Sequence, residues 1–221
     1  MKLHWSPRSP FVRKVMIVLK EIGFEDRVEL TRNVVALHMP TPEAVLIDNP
    51  LGKIPTLVTD AGKPLYDSRV VCEYLDGLAQ GGLFPSDPDA RMDHLCWQSL
   101  GDGMTDILLL WRTELSRPTG AWASVTDAWR VKIRAGMRAL EADAERLSEG
   151  PLGIGQISVV CTLGQLDFRW SDCDWRTHFP SLAAFHDRML LRRSVRDTVP
   201  ADDNVADNVA DITAGHLWFD A

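Results

Sequence analysis

A serine near the start of the chain stands where a helical pattern begins. Ser9 precedes Pro10, and apolar residues recur at helical spacing from there to Ile22. The pair predicts an N-cap serine with proline at the first helical position. A thiolate held at such a helix end is stabilised by unpaired backbone N–H groups and the helix dipole, and a hydroxyl that donates to the sulfur adds to the effect. The alternative is that Ser9 only caps its helix; Ser6 is a weaker candidate for either role.

Two further segments could bind a peptide-like ligand. Pro55 follows Ile54 where a loop enters a strand, and a cis bond there would leave the Ile54 backbone free to pair with an extended ligand. Asp67 and Ser68 start another predicted helix and could bind a carboxylate, although a plain helix cap is the interpretation that we favour. Lys53 could neutralise a second carboxylate, although a loop lysine is more often solvated.

The composition excludes several classes of protein. Of the 221 residues, 45% are hydrophobic and 25% charged, as in ordinary globular proteins. A net charge of -7 argues against nucleic acid and anionic membranes as partners. The four cysteines lie far apart without metal-ligand or C-x-x-C spacing, so we predict neither a metal site nor a dithiol redox centre. Because no apolar stretch is typical of a signal peptide or membrane span, we expect a cytoplasmic protein with reduced thiols.

The first eighty residues are predicted to form a compact α/β unit. An amphipathic helix over 11–23 has Arg13 and Lys14 among its polar positions. The other predicted elements are strands at 2–5 and 27–30, a hairpin formed by 56–59 and 64–66, and a helix from 68 to about 77. A polar, proline-containing connection separates the second strand from the hairpin.

The remainder of the chain is predicted to be helical. A Gly/Pro-rich connector at 81–88 marks the domain boundary, and strand signals are missing after it. Helices are predicted at 90–115, 122–148, 158–170 and 181–191. The final residues, 202–221, either fold back or fray.

Three segments in this order resemble the cytosolic glutathione transferases. They are Ser9-Pro10-Phe11-Val12-Arg13-Lys14-Val15, Asn49-Pro50-Leu51-Gly52-Lys53-Ile54-Pro55-Thr56-Leu57, and Tyr66-Asp67-Ser68 followed by Cys72-Glu73-Tyr74-Leu75. The resemblance continues at 165–169 and 179–182. It implies an α/β thioredoxin-like N-terminal domain over 1–80, a linker over 81–88 and an all-α helical C-terminal domain over 89–221.

The resemblance also implies roles for the residues singled out above. Glutathione would be the co-substrate and would lie along the backbone ahead of a cis Pro55. Its γ-glutamyl end would be held by Asp67 and Ser68, and its glycine carboxylate would lie toward Lys53. Ser9 would take the catalytic place. Because no cysteine falls at that turn, the resemblance implies attack by the glutathione thiolate and not mixed-disulfide chemistry.

A small hydrophobic electrophile is expected to bind between the two domains, near the turn after Trp5 and the first long C-terminal helix. The candidate substrate-cleft residues are Trp5, Asp102, Asp106 and Arg112. Leu109, Leu110 and Trp111 could also face the cleft in part, but helical spacing prevents all of these residues from sharing one face with Asp102, Asp106 and Arg112. Most of the Leu/Trp stripe is predicted to be core or subunit interface. The family implies a homodimer, in which an acidic residue such as Asp102 could reach the partner's glutathione.

One segment departs from the family pattern. The family usually starts its central C-terminal helix with Ser/Thr-x-x-Asp, whereas Ser158 is followed here by Cys161 at the acidic position. We therefore expect this helix to lack a capping acceptor.

Three functions remain open on the sequence. The leading hypothesis is a glutathione transferase that activates the glutathione thiol for attack on an electrophile. A glutathione-dependent lyase or reductase, acting by ether cleavage or dehalogenation, would use the same thiolate. The third is a non-catalytic binding or scaffold protein that keeps the fold.

Overall fold

The fold was determined as a computed structural model, which describes residues 1–202 and 217–219. Its N-terminal part contains β1 (Lys2–Trp5), α1 (Pro10–Glu21), β2 (Glu29–Arg32), α2 (Glu43–Asp48), β3 (Thr56–Val58), β4 (Pro64–Leu65) and α3 (Ser68–Ala79). Its helical part contains α4 (Pro88–Leu115), α5 (Ala123–Ala142), α6 (Ala144–Ser148), α7 (Ile154–Arg169), α8 (Trp175–His178), α9 (Pro180–Leu190) and α10 (Arg193–Arg196). A small mixed sheet followed by a helical part is the predicted fold class, which is therefore confirmed.

The four strands form one mixed sheet in the order β2, β1, β3, β4. β1 runs parallel to β2 and antiparallel to β3, and Leu3 pairs with Leu57 across the latter ladder. Both leucines are fully buried, and they join the core formed with α1 and α3. The parallel pair requires a crossover, which α1 provides.

Helix α1 begins as its sequence predicts but buries more of its surface. Ser9 is the N-cap, its side chain accepts from the backbone N–H of Val12, and Pro10 opens the helix. Arg13 and Lys14, which the pattern placed on a polar face, are 3% and 1% exposed. These polar positions are buried because α1 packs between α3 and α7.

Four other element predictions need correction. The connection before the hairpin contains a short helix, α2, and the strand predicted at 27–30 lies at Glu29–Arg32. The helix predicted over 122–148 is divided into α5 and α6 at Asp143. The central helix α7 begins at Ile154 instead of residue 158, because Gly153 is its N-cap and Gln156 accepts from the Gly153 N–H at 2.6 Å.

The early start of α7 removes the expected capping defect. Ser158 and Cys161 lie inside the helix and are buried. The glycine-rich segment before them allows close packing of α7 on α4: a Cβ atom added at Gly155 would lie 2.8 Å from the carbonyl oxygen of His94.

The connector between the two parts is attached to α3. The Asp76 carboxylate accepts from the backbone N–H groups of Leu83 and Phe84 at 2.9 and 3.1 Å. Near the end of the chain, Leu217 and Phe219 are buried, and Phe219 makes an edge contact with Phe179. Residues 203–216 and 220–221 lie outside the described residues. Most of the segment 202–221, which was predicted either to fold back or to fray, falls there. None of the helices in the described part has the length and apolar character to span a membrane.

Candidate functional site

The turn between β1 and α1 carries the two candidate hydroxyls. Ser9 Oγ accepts from the Val12 N–H at 3.2 Å, so its own hydrogen remains available to a second partner. Ser6 Oγ lies 3.4 Å from the Arg8 nitrogen, which donates to it. Both serines line the same cavity of about 440 Å³. The local geometry thus leaves Ser6 as an alternative to Ser9.

The loop before β3 is held by two side chains that the sequence analysis did not single out. Asn49 is buried, and its amide group donates to the Lys53 carbonyl oxygen and the Thr56 hydroxyl, each at 3.0 Å. Thr56 Oγ1 also donates to the Lys53 carbonyl oxygen, at 2.9 Å. These bonds fix the loop, in which the bond between Ile54 and Pro55 is cis, as the resemblance implies. Asn-Pro before Gly is a turn signal that could have identified Asn49.

The start of α3 forms the opposite wall. Asp67 caps the helix, because its Oδ1 accepts from the backbone N–H of Arg69 at 3.0 Å. The bond between Tyr66 and Asp67 is cis, and Ser68 is buried at the first helical position. Asp67 is therefore the N-cap of α3, and this role leaves its second carboxylate oxygen for other contacts.

A cavity of about 110 Å³ brings most of the candidate residues together. Its walls include the predicted glutathione-binding residues and two of the cleft candidates: Lys53, Ile54, Pro55, Asp67, Ser68, Asp102 and Asp106. Arg69 joins them and was not predicted. The larger cavity contains Ser9, Asp106 and Arg112, and its apolar wall includes Val34, Leu37, Leu109 and Leu110. Phe11, Lys53, Ile54 and Asp106 line both cavities, which therefore adjoin.

Some cleft candidates lie elsewhere than expected. Trp5 lines neither of these cavities; it packs against the core from the end of β1, and the turn after it contributes Ser6 and Arg8 instead. The proposed leucine and tryptophan stripe divides: Leu109 and Leu110 line the larger cavity, whereas Trp111 is buried in the core.

Asp102 is engaged within its own chain. The Lys14 ammonium donates to both of its carboxylate oxygens at 2.8 Å, and the Arg69 Nε donates to one of them at 3.0 Å. The whole residue is 3% exposed. Its oxygens therefore face α1 and α3, and the expectation that Asp102 reaches a partner's glutathione stays a prediction.

Family models locate both parts of this architecture. The model for the N-terminal domain of glutathione S-transferase matches residues 8–78, and the model for its C-terminal domain matches residues 123–188. This chain belongs to the glutathione S-transferase family. The matched segments include the turn with Ser9, the loop before Pro55 and the start of α3.

Several relatives match this glutathione S-transferase family member over nearly their whole length. An uncharacterized GST-like protein, YibF, of Escherichia coli (strain K12) is 32% identical over 90% of this chain and 98% of its own. A glutathione transferase family member from Pseudomonas fluorescens Pf-5, crystallised with bound glutathione, is 41% identical with a TM-score of 0.86, covering 91% of this chain and 99% of that one. A glutathione S-transferase from Methylobacillus flagellatus KT with GSH bound is 34% identical with a TM-score of 0.80, covering 90% and 99%.

Burial sets the protonation of several groups in this glutathione S-transferase fold. Desolvation raises the pKa of Asp106, a change that Lys53 opposes and Asp102 reinforces. Burial also raises the pKa of Cys72 to about 12 and that of Cys161 to about 11, so both remain thiols at neutral pH. Neither cysteine lines the two cavities. In the described part of the chain, no three His, Cys, Asp or Glu side chains cluster as metal ligands would.

Proposed function

We propose that this protein is a glutathione transferase that uses the thiolate of glutathione to attack a small hydrophobic electrophile. The observation that carries the proposal is the pair of adjoining cavities. The smaller has charged and polar groups suited to a zwitterionic tripeptide, and the larger has an apolar wall beside Ser9. The Pseudomonas fluorescens family member that was crystallised with bound glutathione supports glutathione as the ligand.

Each end of the tripeptide has a complementary group. The Ile54 backbone, next to the cis Pro55, would pair with the extended peptide as an added strand. Lys53 would lie near the glycine carboxylate, and Asp67 with Ser68 at the start of α3 would hold the γ-glutamyl group. This orientation directs the cysteine sulfur toward the larger cavity.

Ser9 would act on the sulfur through its free hydrogen-bonding capacity. Its oxygen already accepts from the Val12 N–H, so its hydroxyl hydrogen would donate to the thiolate. The N-terminus of α1 adds the positive end of the helix dipole. Together these groups would lower the pKa of the bound thiol from its ordinary ~8.5, and the thiol proton would leave to solvent. The thiolate then forms a carbon–sulfur bond to the electrophile, whose leaving group departs with the electron pair of the bond that breaks.

Substitution Ser9→Ala tests the role of the hydroxyl. We expect turnover to fall at least about tenfold, because each pKa unit gained by the bound thiol lowers the thiolate fraction about tenfold. The affinity for glutathione should remain close to normal. Steady-state kinetics with a panel of electrophiles and calorimetry with glutathione measure the two quantities. The pH dependence of the thiolate absorbance of the bound complex should move upward in the variant.

A matched control separates the chemistry from the loss of a helix cap. Asp87 caps α4 by accepting from the Ala90 N–H at 2.9 Å, and it lines neither cavity. Asp87→Ala should cost about 0.5–2 kcal/mol of stability, as Ser9→Ala does, without changing turnover. Unchanged turnover in Ser9→Ala would instead assign the role to Ser6, a water molecule or the backbone.

Glutathione binding and product analysis distinguish the other two functions. A protein that fails to bind glutathione at millimolar concentration is not a transferase. Products in which glutathione ends as a disulfide, or in which an ether or halide is cleaved without a lasting conjugate, would indicate lyase or reductase chemistry. The turn with Ser6 and Ser9 contains no cysteine for a mixed disulfide, which favours conjugation.

We also propose that the protein forms a homodimer through an apolar face on α3. Val70, Tyr74 and Leu78 recur at helical spacing on this helix and are exposed, and Leu51 and Met92 are exposed as well. Sedimentation of the wild type should give the mass of two chains. Tyr74→Glu should give a monomer, because a buried unpaired carboxylate opposes association. A monomeric wild type would contradict the proposal.

A further inference from the structure

The larger cavity contains two cations that the chemistry described above does not use. Arg8 and Arg112 line it, and neither of them lines the smaller cavity. Arg8 directly precedes Ser9, and Arg112 lies in the last turn of α4. Both residues are partly buried. A purely hydrophobic electrophile would take water away from these guanidinium groups and offer them no hydrogen-bond acceptor, which is costly.

The charges around the larger cavity differ from those of the chain as a whole. The chain carries 24 lysine and arginine residues against 31 aspartate and glutamate residues. Among the described residues that line this cavity, the cations are Arg8, Lys53 and Arg112, and the only carboxylate is Asp106. Lys53 and Asp106 also line the smaller cavity. With histidine counted as neutral, the part of the larger cavity outside the smaller one therefore carries its charge on Arg8 and Arg112.

Asp202 restrains the Arg8 side chain beside the turn. Its carboxylate lies 3.2 Å from the Arg8 Nε and accepts from both terminal nitrogens of the buried Arg169. Contact with one carboxylate leaves a guanidinium able to bind a second, because it has five N–H donors in a planar fork. Arg176 does so elsewhere in this chain, where its terminal nitrogens donate to two different aspartates at 2.7 and 2.8 Å. A restrained side chain also loses less conformational entropy when it binds a ligand.

The apolar wall of the same cavity limits which anion fits. Leu109 and Leu110 on α4 line it together with Val34 and Leu37, and its volume of about 440 Å³ is that of a small-molecule site. A carboxylate is planar and singly charged, and it matches the guanidinium fork. A phosphate dianion would lose more hydration beside these apolar side chains. The combination therefore favours an apolar body that carries one carboxylate.

We propose that the electrophile is an apolar carboxylic acid whose carboxylate is bound by Arg8 and Arg112. Its reacting carbon lies toward Ser9 and the glutathione sulfur, and its apolar body contacts Leu109 and Leu110. Arg8 and Arg112 are specificity-determining residues, which bind the substrate and do not activate the thiol. The inference rests on the proposed function, because it assigns a chemical group of the same electrophile.

A pair of electrophiles tests the assignment. They are para-(chloromethyl)benzoate and para-(chloromethyl)benzamide, in which a neutral amide of similar size replaces the carboxylate. With either one, the glutathione thiolate forms a bond to the benzylic carbon, and chloride leaves with the electron pair of the carbon–chlorine bond. Each kcat/KM is divided by the rate constant of the reaction with glutathione alone, which corrects for the reactivity of the electrophile. In the wild type, we expect the corrected value to be about a hundredfold higher for the acid, as for two charge-assisted hydrogen bonds.

Arg8→Gln and Arg112→Gln should each lower this preference about tenfold, as for the loss of one charge-assisted hydrogen bond. The change should lie in the KM of the acid, with kcat almost unchanged, because the carboxylate is bound equally in the ground state and the transition state. Both constants for the amide should change less than about twofold in each variant. The amide thus also reports that the variants are folded and that the thiol is activated.

Arg117→Gln is the matched control. Arg117 follows the end of α4, pairs with Glu114 and lines neither cavity. The substitution removes the same charge five positions from Arg112. The preference for the acid should stay at its wild-type value.

The outcomes separate the two proposals. Equal corrected values for acid and amide in the wild type would overturn the assignment of the carboxylate. An equal fall in kcat for both electrophiles in Arg8→Gln and Arg112→Gln would also overturn it, because the guanidinium groups would then act on the thiolate. A wild-type protein that binds glutathione and conjugates neither electrophile would instead contradict the proposed function itself.

Discussion

Arg13 and Lys14 are neighbouring cations on α1 whose environments are set by other helices. The Arg13 guanidinium donates to the carbonyl oxygens of Val160 and Val195 at 3.4 and 3.3 Å, and burial lowers its pKa. Lys14 has a carboxylate partner in Asp102. The two side chains therefore connect α1 to α7, α10 and α4. At the residue scale, charge and burial together decide whether a polar side chain is solvated or structural.

Asp106 provides a pH-dependent test at this scale. Desolvation raises its pKa in the folded protein above the ordinary value, so ionisation of Asp106 opposes folding. This cost is present at neutral pH and vanishes below the unfolded-state pKa of about 3.9. We therefore expect Asp106→Asn to have a higher free energy of unfolding than the wild type at pH ~7 and an equal one below pH ~4. Urea unfolding as a function of pH measures the difference.

Asp89→Asn is the matched control for this prediction. Asp89 is an exposed acid in the first turn of the same helix, where a negative charge interacts favourably with the helix dipole. Its replacement should leave stability at neutral pH unchanged or slightly lower. An Asp106→Asn variant that is less stable than the wild type at neutral pH would show that its charge stabilises the fold.

At the element scale, the start of α7 shows how a cap is formed from residues outside the expected motif. Gln156 accepts from the Gly153 N–H, and its amide group donates to the Leu147 carbonyl oxygen at 3.1 Å. This side chain thus joins the end of α6 to the start of α7. Ser158 Oγ, by contrast, is buried and has no hydrogen-bond partner among the described residues.

Two substitutions distinguish a start of α7 that is stabilised by Gln156 from one that is capped by Ser158. Gln156→Leu leaves a buried N–H and a buried carbonyl oxygen without partners, so we expect a loss of about 2–4 kcal/mol in the free energy of unfolding. Ser158→Ala removes a buried hydroxyl without a partner and should be neutral or stabilising. Denaturant unfolding measures both. The opposite order, with Ser158→Ala as the more damaging change, would place the effective cap at Ser158.

At the scale of the whole molecule, the C-terminal segment returns to the turn that carries Ser9. Asp202 accepts from two nitrogens of Arg169 at 2.9 and 3.0 Å and lies 3.2 Å from the Nε of Arg8. The Ala201 N–H donates to the carbonyl oxygen of Pro7 at 3.4 Å. The turn that carries Ser9 is thereby attached to the helical part of the chain.

Asp202→Asn tests the contribution of this attachment. Because Arg169 is buried, loss of the paired charge should lower the free energy of unfolding by about 1.5–3 kcal/mol. Asp197→Asn is the control, since Asp197 pairs with exposed arginines, and surface pairs contribute about 0–1 kcal/mol. Equal effects in the two variants, measured by urea unfolding, would show that the Asp202 contact does not stabilise the fold.

The elements that could be predicted from the sequence are those defined by neighbouring residues. Ser9-Pro10 and Asp67-Ser68 indicate helix starts because an N-cap acts within one turn. The predicted start of α7 was wrong by four residues, because the helix has a glycine N-cap supported by Gln156 and not the Ser/Thr-x-x-Asp motif of the family. The short helix α2 was missed because its six residues carry little periodicity.

The amino-acid sequence by itself determined the main elements, the caps of α1 and α3 and the family motifs, because these depend on residues within a few positions of each other. The contacts of Lys14 with Asp102, 88 residues away, and of Asp202 with Arg169 were decided only by the tertiary structure. Helix packing brings these side chains together, and burial then determines which charges must be paired. Periodicity distinguishes polar from apolar positions, but it does not show which polar position faces another helix.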